Sequence, residues 1–162
     1  MRETVQDASR IRQMLFGGFK KCLYPLQKFD SDTERRFAVI LERDAQKWFK
    51  PAKGQFQIYY KQGADQKEYI PDFVVENGDF ILMAETKARA DMQSPEVQAK
   101  AEAAAAWYRQ AADYAVQHGG KAWLYLLIPH DEVDEAKRLA DFLRFEKKGE
   151  AVQIPCPSER LK

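Results

Sequence analysis

Read for periodicity, the chain alternates between helical and extended patterns. Residues 3–22 place Val5, Ala8, Ile11, Leu15, Phe19 and Cys22 at three- and four-residue intervals, which predicts an amphipathic helix weakened by Gly17-Gly18. A linker with Pro25 follows, and then Ser31-Asp32-Thr33-Glu34, a capping-box pattern that opens a second helix. Its apolar stripe runs through Phe37, Ile40, Leu41 and Trp48 until Pro51 and Gly54 stop it. Phe56–Tyr60 reads as a short strand and residues 61–67 as a polar turn. Two runs rich in β-branched and aromatic residues, 69–75 and 80–87, then flank Asn77-Gly78 and predict a hairpin.

The hairpin strands are apolar on both faces, so both faces should be covered. Pro71 implies an edge position or a bulge beside Asp72. Ser94-Pro95-Glu96 opens a long alanine-rich helix, which Gly119-Gly120 ends. Residues 122–128 form a nearly continuous apolar run, hence a buried strand. Residues 131–146 carry Val133, Ala136, Leu139 and Leu143 at helical spacing, and the tail beyond Lys147 reads as a strand fragment that frays. The predicted order is helix, three strands, helix, strand, helix: one α/β domain with a central mixed sheet flanked by helices.

Charge enters as an exception to this pattern. If Asn77-Gly78 is the two-residue turn, Asp72 faces Met83, with Glu85 as its diagonal neighbour and Lys87 further along the same face. Diagonal neighbours lie roughly 7–8 Å apart, within reach of one metal ion. Two acids and a lysine thus converge at one end of an apolar hairpin, where charge is costly. An Asp72–Lys87 or Glu85–Lys87 ion pair is the structural alternative. Glu34 falls on the stripe of Phe37, Leu41 and Trp48: it is either a helix cap or an acid aimed at the same site.

Composition narrows the class. At 162 residues, 45% hydrophobic and 12% aromatic, the chain is long enough for one domain with a core. No apolar run approaches a membrane span, and Cys22 and Cys156 lack metal-ligand spacing, so free thiols in a reducing cytoplasm are expected. A net charge of +1 confines any nucleic-acid surface to a local patch. Lys50 and Lys53 are candidates for such a patch. His118 and His130 show no metal spacing, and no P-loop occurs.

Glu34, Pro71-Asp72 and Glu85-Thr86-Lys87, in this element order, resemble the PD-(D/E)XK nuclease superfamily. The flanks (Phe29 to Glu42, Tyr69 to Phe73, Ala106-Trp107, Trp123 to Tyr125 and Pro129) resemble the C-terminal nuclease region of the Res subunit of type III restriction enzymes. That resemblance spans about residues 29–130. It implies a restriction-endonuclease-like αβββαβ core over residues 29–150, a peripheral segment 1–28 and a tail 151–162. It further implies a Mg²⁺-dependent endodeoxyribonuclease, with Mn²⁺ able to substitute. Asp72, Glu85, the Thr86 carbonyl and Glu34 would hold the metal, and Lys87 would orient the attacking water. Gln110 and Tyr114 match the Gln-x-x-x-Tyr pattern of some branches, where it helps position DNA, and the implied partners are double-stranded DNA, an ATPase/translocase region of the same full-length protein and a modification methyltransferase subunit. A non-catalytic nuclease-like DNA-binding or scaffold module of a defence complex is the alternative.

Overall fold

The computed structural model describes residues 7–148. The sheet at its centre is built from four strands: β3 (Lys47–Phe49), β6 (Phe73–Glu76), β7 (Phe80–Lys87) and β8 (Ala122–Pro129), in the order β3-β6-β7-β8. The first three run antiparallel, and β8 lies parallel to β7 after a crossover through helix α2 (Pro95–Gln117). Helix α1 (Asp32–Asp44) precedes β3. The fold is therefore α/β, with a mixed central sheet and helices. The elements that build the sheet and its two helices follow the order α, β, β, β, α, β. Two small antiparallel pairs sit outside it: β1 (Phe16–Gly17) with β2 (Leu26–Gln27), and β4 (Ile58–Gln62) with β5 (Asp65–Tyr69).

Each face of the sheet has its own core, as the two-faced apolar pattern of β6 and β7 requires. On one face, Phe73, Val75, Leu82, Ala84, Leu126 and Ile128 pack against Phe37, Ile40 and Leu41 of α1 and against Phe142. On the other, Val74, Met83, Tyr125 and Leu127 pack against Ala101, Ala104 and Tyr108 of α2 and against the β4–β5 pair. Alternation along β7 thus sends Thr86 toward α1, and Glu85 and Lys87 toward α2. Among the described residues, no helix is long and apolar enough to cross a membrane.

Helix α2 starts and stops where the sequence says it should. Ser94 caps the Val97 N–H, Pro95 occupies the first turn, and Gly119 leaves the helix at φ 69°. Elsewhere the structure departs from the pattern. From Asp7 onward, the stretch expected to be an amphipathic helix forms a 3₁₀ turn, Ala8–Gln13, capped by Asp7, and then the two-residue strand β1. Gly18 (φ 83°) then bends the chain, and Leu15 is left exposed. Ile11 and Phe29 are nonetheless buried in the α1-side core, so the segment before α1 is packed on the domain.

Helix α1 ends at Asp44, capped by Ala45, and Trp48 belongs to a strand rather than to the helical stripe. Its indole is buried in the α1-side core and donates to Glu42 Oε2 at 3.0 Å, so a strand and a helix satisfy the same apolar demand there. Residues 61–67 are not a polar turn: Gly63 (φ 62°) opens a two-residue loop, and β4 and β5 continue on either side. Residues 131–146 are not an α-helix but two short 3₁₀ segments, His130–Glu132 and Leu139–Phe145. Here side chains compete for the backbone: Asp134 accepts from the Ala136 N–H, Asp141 from the Arg138 N–H and Asp44 from the Leu139 N–H. The expected tail at 151–162 and Cys156 lie outside the described residues.

Candidate functional site

The hairpin pairs two residues away from the expected register. Val74 faces Met83 and Glu76 faces Ile81. The Asn77 N–H bonds to the Phe80 carbonyl at 2.9 Å, so Gly78-Asp79 form the loop. Asn77 instead spends its side chain on the Gly78 N–H, at 2.8 Å. The partner of each residue moves by two positions, so every side chain keeps its face and the consequence is confined to pairing. Carried to the end of the ladder, this register sets Asp72 directly opposite Glu85 instead of diagonal to it.

Pro71 lies just before β6, which is flanked by strands on both sides, so it marks neither an edge strand nor a bulge. Asp72 occupies a bend ahead of the strand. There its Oδ2 accepts from the Thr86 N–H at 2.8 Å and from the Thr86 hydroxyl at 3.0 Å. The bend puts Asp72 at the lip of the sheet, between the two faces.

Glu85 is 5% exposed on the α2 face, and both of its oxygens are engaged: Oε1 with Lys87 Nζ at 3.1 Å, Oε2 with the Tyr69 hydroxyl at 3.0 Å. Glu34, also 5% exposed, comes from the α1 face. Its backbone N–H is capped by Ser31 Oγ at 3.2 Å, while its carboxylate accepts from the Asp30 N–H and pairs with Lys50. Glu34 thus takes part in the cap, and it lines the same groove as Asp72.

The electrostatics follow from this geometry. Burial, with Glu85 and Glu34 nearby, pushes the Asp72 carboxyl up to about 8. Burial also raises Glu85, against the opposing pull of Lys87 and Tyr69. For Lys87 burial disfavours the charged form, yet Glu85 and Asp72 outweigh it and hold the ammonium above its ordinary value. Tyr69 and Tyr125 are raised by burial and by Glu85. Two buried acids and the half-buried Asp72 thus share two lysines, and the deficit falls on Asp72.

A groove of about 550 Å³ opens onto Glu34, Asp72, Thr86 and Lys87, rimmed by Arg12 and His130. On the other side of Lys87 a second groove of about 650 Å³ runs between the β4–β5 loop and the start of α2, past Lys61, Glu96 and Lys100. Lys87 is the wall between them. Both lie beyond the carboxyl ends of the parallel strands β7 and β8, where open α/β sheets commonly bind ligands.

The remaining candidates spread outward. Lys50 is tied to Glu34 and sits over the rings of Phe29 and Phe73, 5.7 and 5.2 Å from their centroids. Lys53 is exposed in the turn after β3. Gln110 is exposed on α2, about 15 Å along the helix from Lys100. Tyr114, 66% exposed, stacks on His118.

Sequence reasoning missed three neighbours of the site. His130, which shows no metal spacing in the sequence, rims the groove, and its Nδ1 accepts the Arg89 N–H at 3.1 Å. Tyr69 and Tyr125 lie beneath Glu85, and there a signal existed: a tyrosine inside an otherwise apolar strand such as 122–128 requires a partner for its hydroxyl. Among the described residues, no three His, Cys, Asp or Glu side chains stand close enough to close on a metal ion as they are. Compared with protein-family models, with curated protein sequences and with solved structures, the chain matches none.

Proposed function

We propose that the chain is a Mg²⁺-dependent endodeoxyribonuclease module with a restriction-endonuclease-like core, of the kind that cleaves DNA in type III restriction enzymes. The observation that carries this reading is the meeting of Asp72, Glu85 and Lys87 at the carboxyl end of β7, with Glu34 entering from the opposite face. The α, β, β, β, α, β order around the sheet supports it.

The donor set suits a hard divalent cation: carboxylate oxygens and a backbone carbonyl, at a strand end where Asp72, Glu85 and Glu34 outnumber Lys87 and Lys50. Asp72, Glu85, the Thr86 carbonyl and Glu34 would hold Mg²⁺, or Mn²⁺ in its place. Once bound, the cation supplies charge neutralisation at the phosphodiester and a more acidic water. Asp72, its carboxyl pushed up to about 8, would have to release its proton to solvent to serve as a ligand. Thr86 fixes Asp72 through two hydrogen bonds and so presents its other oxygen, Oδ1. Lys87, kept as an ammonium by Glu85 and Asp72, is a proton donor rather than a base. Facing both grooves, it can orient the attacking water and hydrogen-bond the oxygen on which charge builds. Water adds to phosphorus as the bond to the 3′-oxygen breaks, leaving a 5′-phosphate and a 3′-hydroxyl.

Double-stranded DNA is then the substrate. An ATPase/translocase region of the full-length protein and a modification methyltransferase subunit are the partners this reading expects. Lys53, Gln110 and Tyr114 remain candidate DNA contacts on its periphery. A second reading, a non-catalytic DNA-binding or scaffold module, is favoured by one observation: both Glu85 oxygens already have partners.

The test is cleavage of supercoiled and linear DNA with Mg²⁺ or Mn²⁺, by the chain alone and joined to its full-length context, against Lys87→Ala. The nuclease reading expects metal-dependent breaks with 5′-phosphate ends, slowed by about 10²–10⁴-fold in the variant. Metal-independent breaks, or an unaffected Lys87→Ala, would contradict it.

A further inference from the structure

Two tyrosine hydroxyls are sealed beneath Glu85. Tyr69 closes β5 and is 3% exposed; Tyr125 lies on β8, paired with Met83, and is 0% exposed. Their rings meet edge to face, with centroids 6.4 Å apart, and their hydroxyls are 3.2 Å apart. Each phenol carries a single proton. Tyr69 gives its own to Glu85 Oε2, so Tyr125 donates to the Tyr69 oxygen. Two O–H dipoles in series therefore point at one carboxylate oxygen, and each strengthens the other.

The two oxygens of Glu85 are not equivalent as a result. Oε2 is held by a side chain packed among Ile58, Val74 and Met83, which has nowhere else to go. Oε1 is held by Lys87, whose side chain is 31% exposed and opens onto both grooves, so it can swing away. Only Oε1 can be released to a ligand without breaking a buried hydrogen bond. An unpartnered Tyr69 hydroxyl in this core would be costly.

We infer that Tyr69, backed by Tyr125, is a positioning residue that confines Glu85 to single-oxygen ligation and biases the site toward a small octahedral cation over Ca²⁺. Ca²⁺ takes six to eight oxygens, often with a carboxylate in two-oxygen mode, whereas Mg²⁺ and Mn²⁺ are satisfied by single oxygens and water. This inference rests on the metal site of the proposed function and adds its selectivity. It also gives Tyr69 a reason to stand three residues before Asp72: Pro71 stiffens the short link between the two, so the residue that orients Glu85 and the acid opposite it are placed by one segment.

The test is calorimetric titration of the DNA-free chain with Mn²⁺ and, separately, with Ca²⁺, in the wild type, Tyr69→Phe and Tyr125→Phe. Phenylalanine keeps the ring and deletes only the hydroxyl, and thermal unfolding of each metal-free protein reports whether it is folded. The wild type should bind Mn²⁺ at least about tenfold more tightly than Ca²⁺, and Tyr69→Phe should narrow that ratio by about tenfold. Tyr125→Phe should narrow it less, in the same direction, and decides the matter if Tyr69→Phe does not fold. A wild type that binds Mn²⁺ while both folded variants keep its Mn²⁺/Ca²⁺ ratio would overturn the inference and spare the metal site. A wild type that binds neither ion would overturn the metal site and the inference with it.

Discussion

Two clusters of charge sit on either side of Ala88, and they are built on opposite plans. After it, Arg89 pairs with Asp131 at 2.6 Å and with Glu132 at 3.2 Å, and Glu132 also takes Lys137 and Arg144 at 2.8 and 2.6 Å. That cluster lies at the surface and every acid has its cation. Glu132 is held below its ordinary range first by Lys137, and Asp131 by Arg89. Before Ala88, the buried Glu85 and Glu34 and the half-buried Asp72 share Lys87 and Lys50, and Asp72 is driven up to about 8. A fold seeking only stability would fill that space with apolar side chains, since buried unmatched charge costs more than it returns. The surface cluster is satisfied without help. The other is short of positive charge, and under the proposed function a divalent cation would complete it.

The contrast can be sharpened by pH, where the largest effect lies. A cation that needs Asp72 ionised must displace its proton below about pH 8. Mn²⁺ affinity should therefore climb by about tenfold per pH unit between 6 and 8 and then level off. Titrations in buffers of different ionisation enthalpy should show close to one proton released at pH 6.5. A flat profile would mean that Asp72 is not a ligand.

A smaller effect concerns the metal-free protein. Asp72 ionises near 3.8 when unfolded and near 8 when folded, so the stability contributed by its neutral form is complete below pH 4 and lost as pH rises through 8. The melting temperature should fall over that interval, and Asp72→Asn, neutral throughout, should melt several degrees higher than the wild type at pH 8. Saturating Mg²⁺ should lift the wild type and leave the variant unmoved. A variant no more stable than the wild type at pH 8 would remove the cost assigned to that carboxyl.

The smallest effect is expected across Ala88. Glu132→Gln should leave Mn²⁺ affinity within about twofold and the melting temperature within about 4 °C, because exposed pairs contribute little. A large loss of metal binding there would erase the distinction between the two clusters.

What the sequence made legible follows the strength of its local chemistry. Ser31 and Ser94 with Pro95 begin helices by satisfying free N–H groups, and Gly119 ends one by taking a positive φ, so these boundaries could be read directly. The acids and lysine of the hairpin were legible because charge inside an apolar run has few explanations. Trp48 was not: a buried indole seven residues after Leu41 fits a helix and a strand equally well, and only pairing with Val75 chooses the strand. The hairpin register depended on one asparagine side chain turning back on Gly78, and period two kept its faces intact when the pairing moved. The helical repeat over 131–146 was real in sequence and lost to Asp134, Asp141 and Asp44, whose carboxylates took N–H groups that a helix needs. The place of Tyr69 and Tyr125 beneath Glu85 depends on three strands meeting, which no local pattern encodes.

The most direct measurement is Mn²⁺ binding by calorimetry to the intact chain, to Asp72→Asn and to Glu85→Gln, at pH 8 and without DNA. The account predicts one saturable binding event in the intact chain and at least about 100-fold weaker binding in each variant. Binding of equal strength in all three would leave the acids structural and contradict the claim that this end of the sheet is built to receive a cation.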